Sequence, residues 1–126
     1  MPSVYLGLSA FLKHNTNPSL YLDKFRILKN HYTNHHFIYT DGSKSDEAVA
    51  AVAVCKGTVF SSRLPNAASI FSAEAKAILL ALNFIEYTFH NQFIIFSDSK
   101  SVLQAIQNLD WKSPLIYKIL RKHDLL

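Results

Sequence analysis

Cysteine, charge and long apolar runs are all scarce in this sequence. A single cysteine, Cys55, can make no internal disulfide, which removes the small secreted scaffold from consideration. No apolar stretch approaches the roughly 20 residues of a membrane-spanning helix. The longest candidates, residues 4–12 and 77–82, fall far short. The N-terminus lacks the basic start and small-residue cleavage site of a secretory signal. The expectation is a reduced, intracellular α/β or α+β domain with no membrane partner. Only 17% of residues are charged, and they leave a formal net charge of +4 that is gathered in no single run. Such a balance pulls weakly toward polyanions. Three of the six histidines are His31, His35 and His36, and they follow no recognised ligand spacing.

What is present suffices for one domain: 126 residues, 49% of them hydrophobic. Two blocks differ in texture. Residues 1–35 read as an N-terminal flank or tether, punctuated by Asn15-Thr16-Asn17-Pro18. Within it, Ser19 is placed to cap a short helix carrying Leu20, Lys24, Phe25 and Leu28. Residues 36–126 are patterned more sharply. Phe37-Ile38-Tyr39-Thr40 is rich in strand formers and is expected to stop at Asp41-Gly42-Ser43, a turn signal. Residues 48–55 and 58–64 predict two strands joined by a hairpin at Lys56-Gly57. After Ser72 a helix is expected from Ala73 to about Tyr87, with Ile78, Leu82 and Ile85 on one stripe. Phe93-Ile94-Ile95-Phe96 predicts a strand buried on both faces, followed by helices from Lys100 and from Pro114. A helix linking a hairpin to a continuous apolar strand implies a mixed sheet with at least one parallel pair.

One internal echo stands out. Thr40-Asp41 and Ser97-Asp98 both follow an apolar run, so each aspartate is expected where its strand ends. If those strands lie parallel and adjacent, both carboxylates emerge at one sheet edge, the edge where open α/β sheets bind ligands. Glu74 begins the helical stripe of Ile78, Leu82 and Ile85, and so faces the same sheet. Three carboxylates brought together repel one another, and a divalent cation would compensate them; hard oxygen ligands select Mg²⁺, or Mn²⁺ as a substitute, over zinc. Each acid also has an ordinary use. Asp41 suits a turn, Asp98 suits a helix cap, and Glu74 suits the positive end of a helix dipole. Two matched strand ends and an inward-facing glutamate favour the metal site.

These residues resemble the type 1 ribonuclease H family, in the form carried by non-LTR retrotransposon polyproteins. The matching stretches run from Tyr39 to Lys44, from Ala68 through Glu74 to Leu82, and from Phe96 to Ile106, in family order. The resemblance implies an α/β fold whose mixed sheet has three antiparallel strands and then a parallel one, with flanking helices. It also implies cleavage of the RNA strand of an RNA–DNA hybrid by two-metal-ion hydrolysis, with Asp41, Glu74 and Asp98 as catalytic ligands of Mg²⁺. Gly42, Ser43, Ser72 and Ser99 would then meet 2′-hydroxyls, and Lys44 and Lys100 phosphates. The family's fifth strand, loop histidine and last helix with a fourth aspartate have no counterpart here. Asp110, His123 and Asp124 do not match those roles. The expectation is a C-terminally truncated domain with a sheet edge left bare, weakly active or inactive as an isolated chain. Three other readings stay open: a non-catalytic nucleic-acid-binding remnant, a flavodoxin-like small-ligand domain, against which the hairpin counts, and a poorly folding gene fragment with no function.

Overall fold

The computed structural model describes residues 3–5, 26, 30, 35–88 and 92–125. Its sheet is built outward from a nine-residue strand. β2 (His36–Lys44) pairs antiparallel with β3 (Val49–Cys55), which pairs antiparallel with β4 (Thr58–Leu64). Along β3, Val49, Ala51, Ala53 and Cys55 are buried while their neighbours are half-exposed, the period-two pattern of a strand with one face on the core. Two of those inward residues are alanines, which leaves room for a helix to come close. Lys56 (φ 48°) and Gly57 (φ 81°) both adopt positive φ, as the two-residue turn of a type I′ hairpin requires. Burial pushes the Cys55 thiol above its ordinary value, with the charge of Lys56 opposing.

The expected stop at Asp41-Gly42-Ser43 is overturned. β2 runs three residues past Asp41, and Asp41, Gly42, Ser43 and Lys44 pair with Val52, Ala51, Ala50 and Val49. The turn falls later, where Ser45 N–H donates to Ala48 O at 2.9 Å and Ser45 Oγ accepts from Glu47 and Ala48 N–H. A full row of cross-strand partners outweighs local turn preference.

α1 (Ile70–Glu86) also begins earlier than expected. Ser69 is its N-cap, with Oγ accepting from Ser72 N–H, so Ser72 lies inside the first turn. Glu74, Ile78, Leu82 and Ile85 are all buried, and α1 packs on β2 and β3. β5 (Gln92–Phe96) is buried from Phe93 onward and lies parallel to β2, from His36↔Phe93 to Tyr39↔Phe96. α2 (Lys100–Gln107) follows, and α3 (Pro114–Leu125) packs along α1, sending Ile116 and Ile119 into the core with Ile38, Phe93 and Ile95. Each such aliphatic or aromatic side chain contributes about 1.5–3 kcal/mol when fully buried.

The result is a ribonuclease H-like mixed sheet with flanking helices; with β1 (Ser3–Tyr5), its strand order is β1-β5-β2-β3-β4. The far edge of β5 is not bare. β1, drawn from the segment read as a flank, pairs parallel with Gln92, Phe93 and Ile94. No strand follows α3 among the described residues. The helix expected after Ser19 lies outside the described residues except at Arg26 and Asn30, which are helical.

Candidate metal centre

The parallel register of β2 and β5 brings the two aspartates together. Two residues beyond the last pair, Tyr39↔Phe96, stand Asp41 on β2 and Asp98 just past the end of β5. The hydroxyl residue before each aspartate fixes its backbone. Thr40 Oγ1, buried, donates to Phe96 O at 2.6 Å and locks the strand ends side by side. Ser97, also buried, accepts from Ser99 N–H at 3.2 Å and shapes the loop into α2. Ser99 caps α2 by accepting from Val102 N–H, so the capping role left open for Asp98 belongs to its neighbour.

Glu74 arrives from the helix layer. α1 rests so closely on β2 that a Cβ on Gly42 would lie 2.5 Å from Glu74 N and 2.7 Å from the Ala73 carbonyl carbon. Gly42 is therefore a packing residue, and its lack of a side chain lets Glu74 reach the strand that carries Asp41. One carboxylate oxygen from each of Asp41, Glu74 and Asp98 lies within 4.8 Å of the others. Glu74 is buried, Asp98 half-buried and Asp41 exposed, so the cluster has a closed floor and an open side.

An all-oxygen donor set of three carboxylates fits a hard divalent cation. Neither histidine nor cysteine joins the cluster among the described residues, which disfavours zinc. Mg²⁺ commonly binds through one or two carboxylates and keeps waters on its open side, as an exposed Asp41 permits. The arrangement can hold such an ion and present it to a ligand approaching from solvent.

The flanking residues divide. Ser43 and Lys100 are exposed beside the acids. Lys44 Nζ is engaged with Ala68 O at 2.9 Å, and Ser72 Oγ with Ser69 Oγ at 3.1 Å. Sequence reasoning missed a neighbouring groove of about 600 Å³, lined by Phe71, Ser101, Gln104, Asn108, Trp111 and Lys112. Phe71 lies one turn before Glu74, and Ser101 three residues after Asp98, so the groove opens beside the carboxylates. Its signal was available: Ser101, Gln104 and Asn108 recur at helical spacing, and Trp111 sits in a polar loop. Asp110 also borders this groove, but it does not join the carboxylate cluster.

A family model described as "Reverse transcriptase-like" matches residues 39–124. None of the curated proteins compared with the chain matches it. The matched span holds all three carboxylates, the hairpin of β3 and β4, and nearly all of the three helices. With about two-thirds of its length and the whole acidic edge inside that span, the chain belongs to the reverse transcriptase-like family.

Proposed function

We propose that this chain is a ribonuclease H-type domain that uses Mg²⁺ to cleave the RNA strand of an RNA–DNA hybrid. The convergence of Asp41, Glu74 and Asp98 within 4.8 Å carries the reading. Divalent ions bound there would supply a water of lowered pKa and offset charge on the departing 3′-oxygen. The chain's own part is positional. Glu74, buried in the first turns of a helix, is the rigid ligand; Asp41, exposed on a paired strand, is the one open to substrate. Ser43, Ser72 and Ser99, with the backbone at Gly42, flank the acids and suit 2′-hydroxyls, which distinguish RNA from DNA. Lys100 suits a phosphate, as does Lys44 once its bond to Ala68 is exchanged. The groove of Phe71, Gln104, Asn108 and Trp111 offers aromatic surface and amides to the rest of the hybrid.

Three carboxylates converge among the described residues, with no fourth acid beside them, so slow cleavage is expected. The test is a hybrid labelled on its RNA strand, incubated with Mg²⁺ or Mn²⁺ beside duplex DNA of the same sequence. Expected is cutting of the RNA strand alone, lost by at least about a hundredfold in Asp41→Asn, as for removal of a group that stabilises the transition state. Salt-sensitive hybrid binding with no cutting in either metal would replace the proposal with a non-catalytic nucleic-acid-binding module.

A further inference from the structure

A second groove, of about 390 Å³, lies between α1 and α3 and is unrelated to the carboxylates. Leu79 and Asn83 form its α1 wall; Tyr117, Lys118, Arg121 and Lys122 form the other. At 1.5 Å per residue, Leu79 and Asn83 stand roughly 8 and 14 Å along the helix from Glu74. The groove thus runs away from the acidic edge.

Its charge is one-sided. α3 carries three Lys or Arg residues against one acid, Asp124, and Lys76 lies one turn before Leu79 on α1. Glu86 of α1 is ion-paired with Lys122, and that contact leaves the charges of Lys118 and Arg121 uncompensated. Arg121 donates to Tyr117 Oη at 3.1 Å and its guanidinium lies 5.8 Å from the ring centroid. Tyr117 is nevertheless 43% exposed. An aromatic ring and a planar guanidinium, flanked by lysines over an apolar floor, combine the two features that hold single-stranded nucleic acid: a stacking surface and a cationic track.

We infer that the α1–α3 groove is a second nucleic-acid contact that takes a single-stranded segment, with Lys118 and Arg121 on phosphates and Tyr117 against a base. This rests on the nucleic-acid reading above, but its contacts and its test are separate from the metal centre. An acidic protein segment would satisfy the charges alone; the paired Tyr117 and Arg121 favour a ligand with flat rings.

The experiment measures anisotropy of a fluorescein-labelled oligo-dT of about 12 nucleotides, a length within the range such grooves engage, in EDTA and with no hybrid present. Lys118→Gln/Arg121→Gln should weaken binding about tenfold and flatten the salt dependence by about 1.4 in slope, two phosphates at about 0.7 each. Tyr117→Ala should cost a further factor of at least about five through lost stacking. All variants should keep the parent's melting temperature within a few degrees, and any cutting of hybrid should proceed at the parent's rate. Unchanged oligo-dT affinity in the double variant overturns the inference. So does displacement of oligo-dT by poly-glutamate at equal charge, which would assign the groove to an acidic protein. Loss of cleavage in Asp41→Asn bears only on the metal centre, because that residue takes no part in this assay.

Discussion

Gly42 controls how near Glu74 comes to Asp41, and it does so by omission. Any side chain there meets the backbone of Ala73 and Glu74, not the movable end of a neighbour. Gly42→Ala should therefore cost about 2–3 kcal/mol, the upper part of the range for overpacking, and should also spread the carboxylates. Gly57→Ala provides the contrast. Its Cβ would meet nothing within 4 Å, and only the φ of +81° resists it, so about 1 kcal/mol is expected with no effect at the acids. Urea unfolding of both, with and without Mg²⁺, separates the two. If the Gly42 variant loses stability but keeps the parent's response to Mg²⁺, its proposed control of the carboxylate spacing is wrong. The three acids were legible in the sequence because two echo each other after apolar runs and the third begins an apolar helical stripe. Gly42 was not legible, since Asp-Gly-Ser has the composition of a turn and the helix that requires the glycine is about thirty residues away.

Among the elements, boundaries proved less legible than identities. Strands β2 to β5, the hairpin and three helices follow from period and punctuation, whereas both shifted boundaries involve serine hydroxyls that accept backbone N–H bonds. Ser69 captures Ser72 N–H and starts α1 a turn early, and Ser45 closes the turn that lets β2 run on. The end of α2 carries a visible misfit. Asp110 N–H donates to Ala105 O and Leu109 N–H to Ile106 O, the paired bonds of a Schellman ending, and Leu109 holds the left-handed position at φ 53°. Glycine is the usual occupant there, and a leucine is strained by about 1 kcal/mol. Leu109 is also 62% exposed, so little packing offsets the strain. Leu109→Gly should stabilise the domain by about 0.5–1 kcal/mol in thermal unfolding. A loss of stability would mean that the leucine is held by contacts stronger than its backbone strain. Because Leu109 borders the groove of Trp111, the same variant is expected to weaken hybrid binding if the strain serves that surface.

For the whole molecule, the sequence pattern predicts a mixed sheet with at least one parallel pair, and β5 pairs parallel with both β2 and β1. The place of β1 beside β5 was not legible: three residues give too short a period to register, and their partner lies nearly ninety positions away. A chain of net charge +4 that gathers three carboxylates at one edge places like charges side by side inside an otherwise basic molecule. Folding brings those charges within 4.8 Å, and unfolding lets them separate, so their mutual repulsion is a term against folding. An ion that binds the folded cluster alone reverses the sign, adding about 2.7 kcal/mol at one hundred times its dissociation constant. The melting temperature should rise by roughly 4 °C per kcal/mol of this gain as Mg²⁺ is titrated. Asp41→Asn removes one exposed charge without removing a core contact. It should therefore melt above the parent in EDTA and below it in excess Mg²⁺. That crossing of the two melting curves is the thermodynamic mark of a metal site. If Asp41→Asn melts above the parent in both conditions, the carboxylates only repel; if it melts below in both, Asp41 is structural.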